Sequence, residues 1–206
     1  MTAPARQSTG TLTALDVIYT RRSVRSYRSH ALDRETIRGL LDAAVQAPTA
    51  MHIEPWAFVV VQDRAMLTRY SDQAKRALAD EMATHPDVHA IVNPASARAF
   101  SEQLTSPDFD IFYDAAALIV ICGKPAGPFV TADCWLAAEN LMLAATAMGL
   151  GTCCVGAALP MLTSPDVRHE LAIPDGYDVV APIVVGVPAD GVADSARKEP
   201  HILSWS

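Results

Sequence analysis

The chain has 206 residues, of which half are hydrophobic and 19% are charged, and its formal net charge is −7. This composition excludes a disordered or fibrous protein, and the length predicts one domain with a substantial core. The acidic balance argues against a nucleic-acid-binding protein, because phosphate backbones attract basic surfaces. The large apolar fraction is compatible with an extensive subunit interface.

The sequence shows no signal for membrane insertion or secretion. No apolar run approaches the roughly 20 residues that span a bilayer, and the N-terminus lacks the apolar core of a secretory signal. The four cysteines lie in apolar stretches and form no C-x-x-C pair: Cys122, Cys134, Cys153 and Cys154. Buried free thiols are typical of a reducing cytoplasm, so we expect a cytoplasmic protein without a membrane partner.

The first third of the chain predicts short helices followed by one strand. Residues 1–11 have the composition of a flexible arm, and 12–19 predict a short amphipathic helix. Asp33 is a candidate N-cap for a second helix, whose apolar residues repeat at helical spacing and which ends before Pro48. After a loop, the β-branched run 57–62 predicts a strand.

The middle of the chain predicts a surface helix, a long insert and a buried strand. Apolar residues repeat at helical spacing over 63–82, with charged residues on the other face. The segment 84–110 contains three X-Pro breaks around a short helical piece near 95–104. An insert of this length is more typical of a lid or binding loop than of a simple connection. The continuous apolar run 116–122 predicts a central strand.

The stretch that follows predicts a buried helix and a tight turn. Almost every residue from 132 to 150 is apolar, so the apolar surface would surround the helix, which predicts burial on all sides. Gly149 and Gly151 are expected to end the helix, and 152–155 predicts a short buried strand. A helix, glycine turn and strand at the centre of the chain could form the floor of a cofactor site.

The last part predicts a short helix over 165–171 and a final strand over 178–187 that is interrupted by Pro182. A polar tail follows from 188 to 206.

Two cationic groups stand out in this acidic chain. One is the run Arg21, Arg22, Ser23 and Arg25, and the other is the distant pair Arg197 and Lys198. A solvated surface is the simpler interpretation of either group alone. Together, however, they could hold a single phosphate monoester from both ends, since arginine forks suit charge-assisted bonds to phosphate oxygens.

Other site patterns are excluded by their context. Gly149 and Gly151 follow a helix, whereas a dinucleotide fingerprint needs the glycines between a strand and a helix N-terminus. His85 and His89 have the spacing of a helical zinc pair, but Pro86 lies between them, so no metal site is predicted.

The chain resembles the FMN-dependent nitroreductase family in six motifs that occur in the family's order. These are the runs at 21–25, 47–61, 112–121, 138–145, 149–152 and 197–200. The resemblance extends from about residue 14 to the end of the chain. It implies an α+β fold, in which a mostly antiparallel sheet is flanked by helices. It also implies an interlocked homodimer whose C-terminal segment wraps the partner, with FMN as cofactor at the subunit interface.

The resemblance also implies which residues contact FMN. Those for the phosphate and ribityl chain are Arg21, Arg22, Ser23, Arg25, Arg197 and Lys198. Those of the loop that lines the flavin of the other subunit are Pro48, Thr49, Ala50, Met51 and His52. Backbone N–H groups near flavin N5 come from Cys154, Val155 and Gly156. Arg25 is the expected electrostatic stabiliser of the reduced flavin.

The expected activity is that of an FMN-dependent NAD(P)H oxidoreductase, acting by ping-pong hydride transfer on a nitroaromatic, a quinone or a related acceptor. His52 and Glu54 replace the family's usual Asn and Gln, a pattern more similar to the iodotyrosine deiodinase branch. Val155 and Gly156 offer no hydroxyl near N5, which favours hydride over one-electron chemistry. The alternatives are a reductive dehalogenase, a flavin-modifying enzyme, or an FMN-binding protein without turnover.

Overall fold

A computed structural model of the chain describes residues 12–84, 94–189 and 196–206. The predicted arm, 1–11, and the pair His85 and His89 lie outside the described residues. The helices are α1 (Ala14–Thr20), α2 (Arg34–Ala44), α3 (Arg64–Thr84), α4 (Pro94–Thr105), α5 (Val130–Ala147), α6 (Leu159–Leu162) and α7 (Pro165–Glu170). None of these helices is long and apolar enough to cross a membrane.

The described strands form one antiparallel sheet in the order β1-β2-β4-β3. The strands are β1 (Trp56–Val61), β2 (Ala117–Gly123), β3 (Gly151–Cys154) and β4 (Asp178–Gly186). Every residue of β2 is buried, as predicted for a central strand. The arrangement confirms the predicted α+β class with an antiparallel sheet flanked by helices.

Helices cover both faces of the sheet. The alternating side chains of β2 divide between two apolar clusters, as the two-residue period of a strand requires. Leu118 and Val120 pack in the cluster that contains residues of α3 and α6. Ile119 and Ile121 pack in the cluster that contains residues of α2 and α5. The sheet is therefore the middle layer of a three-layer sandwich.

The central helix differs from its prediction on one side. It ends at Ala147, and Gly149 follows in the left-handed conformation with φ of 74°, which confirms the glycine stop. Trp135 and Leu136 are 42% and 45% exposed, however. The prediction of burial on all sides is therefore wrong for a single chain, because the outer side of α5 is apolar and uncovered.

The predicted interruption at Pro182 is also wrong. Pro182 lies within β4, opposite Val120 of β2, and its carbonyl accepts a hydrogen bond from the Val155 N–H at 2.9 Å. In an antiparallel ladder the N–H and C=O of one residue point to the same neighbour. The side of Pro182 that lacks an N–H therefore faces Val155, which lies directly after the end of β3. No hydrogen bond between paired residues of β3 and β4 is lost.

A close approach at Gly151 brings the early cationic run against the sheet. A Cβ placed on Gly151 would lie only 2.6 Å from Cγ2 of Val24, and one on Gly186 would lie 2.9 Å from Cδ1 of Tyr27. Val24 and Tyr27 are themselves buried. Absence of a side chain at these two glycines therefore lets the segment that carries Arg25 cross the end of the sheet.

We expect Gly151→Ala to destabilise the protein by about 1–3 kcal/mol, since an overpacked buried site forces its neighbours to move. Gly39→Ala is the matched control, because a Cβ there meets nothing within 4 Å on helix α2. That change should stabilise by about 0.5–1 kcal/mol. Urea denaturation measures both values. Equal stability of the two variants would contradict the close packing of Val24 on Gly151.

Candidate cofactor and acceptor site

The early cationic run lies along the outer edge of β3. Ser23 forms a parallel bridge with Thr152, and the Val24 N–H donates to the Thr152 carbonyl at 2.9 Å. The structure therefore brings the run at 21–25 beside the segment that follows the central helix. These two groups of predicted site residues are far apart in sequence and adjacent in the fold.

The three arginines of the run have different surroundings. Arg21 Nε lies 3.2 Å from a carboxylate oxygen of Glu139, so its charge is partly offset. Arg22 Nη1 donates to the carbonyls of Tyr19 and Arg21 at 2.6 and 2.8 Å. Arg25 is exposed and, among the described residues, forms no ion pair with a carboxylate. The uncompensated cation of the run is therefore Arg25.

The segment after β3 presents backbone groups to the same edge. The Thr152 carbonyl faces outward toward Val24, so Cys154, two residues on, turns its backbone to the same side. The Val155 N–H donates instead to Pro182 within the sheet. Of the three N–H groups predicted to contact the flavin, that of Val155 therefore already has a hydrogen-bond acceptor. Gly156, by contrast, is exposed and lines a cavity of about 530 Å³.

Arg25 also lines a second cavity, with a volume of about 570 Å³. Its walls include the rings of Phe100, Phe109 and Tyr113 and the side chain of Gln103. Phe100 lines this cavity and the one at Gly156, so helix α4 forms the common wall. The predicted lid therefore borders the cavity at Arg25 through Phe100, Gln103, Phe109 and Asp110, and the cavity at Gly156 through Phe100.

Tyr113 is held in this cavity by an unusual turn. Tyr113 and Asp114 both have positive φ, 58° and 60°, a conformation that costs energy in residues other than glycine. The Asp110 carboxylate accepts hydrogen bonds from the N–H groups of Phe112 and Asp114 at 2.9 and 2.8 Å. Asp114 in turn pairs with Arg64. The turn is thus stabilised from both ends.

Burial controls the ionisation of the groups beneath Arg25. Burial raises the pKa of the Tyr113 hydroxyl and of the Cys153 thiol, and the nearby Arg25 guanidinium opposes both shifts. The Cys153 side chain is only 3% exposed. Both groups are consequently neutral at physiological pH. Arg25 is then the cation of a cavity that the Asp110 and Asp114 carboxylates also line, and these are held by backbone N–H groups and by Arg64.

The loop that begins at Pro48 occupies another part of the chain. Met51, His52 and Glu54 have positive φ, and Met51 is 94% exposed. The Ala50 N–H donates to the buried Asp133 carboxylate on α5 at 3.3 Å. This bond anchors the loop and leaves its outer residues projecting away from the chain.

Two groups of predicted site residues remain apart from the cationic run. Residues Pro48, Thr49, Met51 and His52 line a separate cavity of about 860 Å³, which shares no residue with the cavities at Arg25 and Gly156. Arg197 and Lys198 are exposed, and in the described part of the chain no hydrogen bond or ion pair joins them to the run at 21–25. A single chain therefore assembles only part of the predicted site.

Three contributing residues, Asp133, Glu139 and Tyr113, were not among the flavin contacts predicted from the sequence. Glu139 and Asp133 stand out in the sequence as polar exceptions in an apolar helix, and the structure gives each a partner in the site, Arg21 and the Ala50 N–H. Tyr113 lies in the motif at 112–121, where the sequence offers it only as a possible contact to an amino-acid acceptor; its place depends on the turn that Asp110 caps. Among the described residues no cluster of His, Cys, Asp or Glu has the arrangement of a metal site.

Comparison with known proteins decides the family. The sequence profile of the Nitroreductase family matches residues 18–187, which is most of the chain. The chain belongs to the nitroreductase family. Its arrangement of helices and strands agrees with that assignment. A nitroreductase of Bacteroides fragilis, solved with bound FMN, superposes on this chain with a TM-score of 0.74. The two are 26% identical, and the match covers 92% of this chain and 96% of that one.

Sequence relatives of this nitroreductase-family chain cover more than one activity. A protein of Archaeoglobus fulgidus, provisionally named an NADH dehydrogenase/NAD(P)H nitroreductase, is 30% identical over 85% of this chain and 86% of its own length. The iodotyrosine deiodinase of Drosophila melanogaster is 27% identical over 86% of this chain and 64% of its own length. Membership of the family therefore leaves the acceptor open.

Proposed function

We propose that this protein binds FMN and catalyses NAD(P)H-dependent reduction of a nitroaromatic, quinone or related acceptor by a ping-pong mechanism, in the cytoplasm. The observation that carries the proposal is the adjacency of the run at 21–25 and the segment 154–156 along one sheet edge. Family membership and the FMN in the Bacteroides fragilis protein support it.

The residues present fit this cofactor. A flavin phosphate needs several donors and a positive charge, and the exposed hydroxyl of Ser23 lies beside the Arg21 and Arg22 side chains along the outer edge of β3. The Cys154 backbone faces outward nearby and Gly156 is exposed, so their N–H groups can donate to a flat polar ring. Arg21, held by Glu139, and Arg22 would complete the phosphate side.

Bound FMN would supply a two-electron carrier that NAD(P)H reduces and the acceptor reoxidises. The chain's own contribution is binding and electrostatics. Arg25 provides positive charge at a partly enclosed cavity, where a fixed cation stabilises developing negative charge more than it does in water. The described residues around Arg25 include no nucleophile paired with a base, and this chemistry needs none. Because both substrates would use one cavity in turn, ping-pong kinetics follow.

The site would be completed by a second copy of the chain. The exposed side of α5, with Trp135 and Leu136, lies next to α1, where Leu15 and Ile18 are 62% and 51% exposed. The tail adds a third apolar surface, since Trp205 is 87% exposed. Several exposed apolar side chains on neighbouring elements are typical of a subunit interface. We propose a homodimer in which the loop at 48–52 and the pair Arg197 and Lys198 reach the partner's site.

A reductive dehalogenase is the second candidate. The match to iodotyrosine deiodinase favours it, and so does the position of His52, whose Nδ1 lies 3.6 Å from a Glu54 carboxylate oxygen where most of the family has two amides. An acceptor panel that includes halogenated phenols separates the two activities. Reduction of menadione or nitrofurazone without halide release supports the first.

Bleaching of the purified yellow protein tests the proposed function. We expect NADH or NADPH to remove the visible flavin absorbance under anaerobic conditions, and menadione or nitrofurazone to restore it. Failure of both nicotinamide cofactors to bleach a yellow protein would overturn the enzymatic proposal and leave an FMN-binding protein.

A further inference from the structure

Lys75 is a buried charge that the proposed chemistry does not use. It lies on α3 and is only 8% exposed, whereas lysine is almost never fully buried unless its charge is paired. Its Nζ lies 2.8 Å from the Phe109 carbonyl, 3.4 Å from the Ser106 carbonyl and 3.1 Å from a carboxylate oxygen of Asp72. Three acceptors therefore match the three protons of the ammonium group.

The two carbonyls belong to the segment that returns from the predicted lid to the sheet. Helix α4 ends at Thr105, and residues 106–111 then cross α3. A second bond holds the same segment, since the Ile111 N–H donates to the buried hydroxyl oxygen of Ser71 at 3.0 Å. Lys75 and Ser71 are one helical turn apart, so a single face of α3 anchors the whole segment.

The anchored segment leads directly to the cavity at Arg25. The Phe109 ring packs edge-on against the Tyr113 ring, with centroids 6.0 Å apart. Both rings line that cavity, and the Arg25 guanidinium lies close enough to the Tyr113 hydroxyl to oppose the rise in its pKa. The contacts thus run from Lys75 to Phe109, from Phe109 to Tyr113, and from Tyr113 to Arg25.

We propose that Lys75 is a positioning residue that sets the shape of the acceptor cavity by fixing the return segment 106–111. The assignment of this cavity to the acceptor rests on the proposed function, whereas the anchoring of segment 106–111 by Lys75 does not. Loss of the ammonium group would leave the Ser106 and Phe109 carbonyls without their donor, and the segment would move. Tyr113 would then lose its fixed place beside Arg25, while the run at 21–25 would keep its contacts with β3.

The test compares Lys75→Met, which keeps the length of the side chain, with Arg76→Met, which removes a charge from the exposed neighbouring position on α3. In Lys75→Met we expect faster amide hydrogen exchange in residues 106–114 and unchanged exchange in α2 and α5. In the holoenzyme we expect the KM for menadione to rise roughly tenfold with little change in kcat, because a displaced cavity wall weakens binding of the acceptor equally in the ground state and the transition state. FMN affinity should be unchanged, and Lys75→Arg should restore much of the KM.

Coupling to Tyr113 distinguishes positioning from general stability. If Lys75 acts through the aromatic pair, the KM effects of Lys75→Met and Tyr113→Ala should be strongly less than additive. Should Lys75→Met fail to fold, Ser71→Ala gives a weaker form of the same test. Unchanged exchange in 106–114, or an unchanged KM, overturns the proposal. If the wild-type protein never takes up FMN, the proposed function is overturned instead. Amide hydrogen exchange in Lys75→Met then still tests whether Lys75 anchors segment 106–111.

Discussion

Arg22→Glu combined with Arg197→Glu is expected to give colourless protein. Arg22 lies in the run beside β3, whereas Arg197 is an exposed residue of the tail. In the proposed homodimer both reach one flavin phosphate, so the double reversal replaces two attractive charges with two repulsive ones. Charge-assisted bonds to phosphate are among the strong hydrogen bonds of proteins. We expect a loss of at least about a hundredfold in FMN affinity, since two contacts worth roughly 1.5–3 kcal/mol each sum to about 3–6 kcal/mol and about 1.4 kcal/mol is tenfold.

The control for this variant is a double reversal at Arg38 and Arg76, which are exposed on α2 and α3. It changes the net charge equally and should leave the protein yellow. Fluorescence titration with FMN measures both affinities. If the Arg22 and Arg197 variant stayed yellow with near-normal affinity, the phosphate would have to lie elsewhere.

Trp135→Asp combined with Leu136→Asp is expected to produce a monomer that does not retain FMN. Both side chains lie on the uncovered apolar side of α5. Two carboxylates there would be buried without partners in the interface, and like charges from the two copies would face each other across it. Because part of the proposed site comes from the partner, separation of the subunits should remove the cofactor as well. Size-exclusion chromatography with light scattering measures the mass, and visible absorbance measures the flavin.

Ala65→Asp with Ala79→Asp is the matched control, since both alanines are exposed on α3. This variant should remain a yellow dimer. A folded Trp135 and Leu136 variant that still binds FMN as a monomer would contradict the shared site.

The antiparallel sheet and its flanking helices could be predicted from sequence because local patterns specify them. The apolar run of β2 is wholly buried, and the Asp33 side chain accepts from the Thr36 N–H, as the predicted N-cap requires. Local patterns say little about what covers a surface. The apolar residues of α5 predicted burial on all sides, whereas Trp135 and Leu136 are uncovered in a single chain. Periodicity alone does not distinguish a face that packs in the core from an apolar face that stays exposed.

The site was harder to predict because its arrangement depends on distant contacts. The run at 21–25 could be found as an unusual group of cations, but its place beside β3 depends on the close approach of Val24 to Gly151. The Val155 N–H donates to the Pro182 carbonyl because the pairing of β3 with β4 continues for one residue beyond the end of β3. Tyr113 enters the cavity only because Asp110 stabilises a left-handed turn.

Sedimentation velocity of the purified protein tests the central claim most directly when protein absorbance and visible flavin absorbance are recorded in the same run. Two copies of the chain sharing one interface should sediment as a single species of twice the 22.0 kDa chain mass, and the flavin absorbance should move with it. A species of single-chain mass that carries no flavin, and takes up none when FMN is added, would contradict the account.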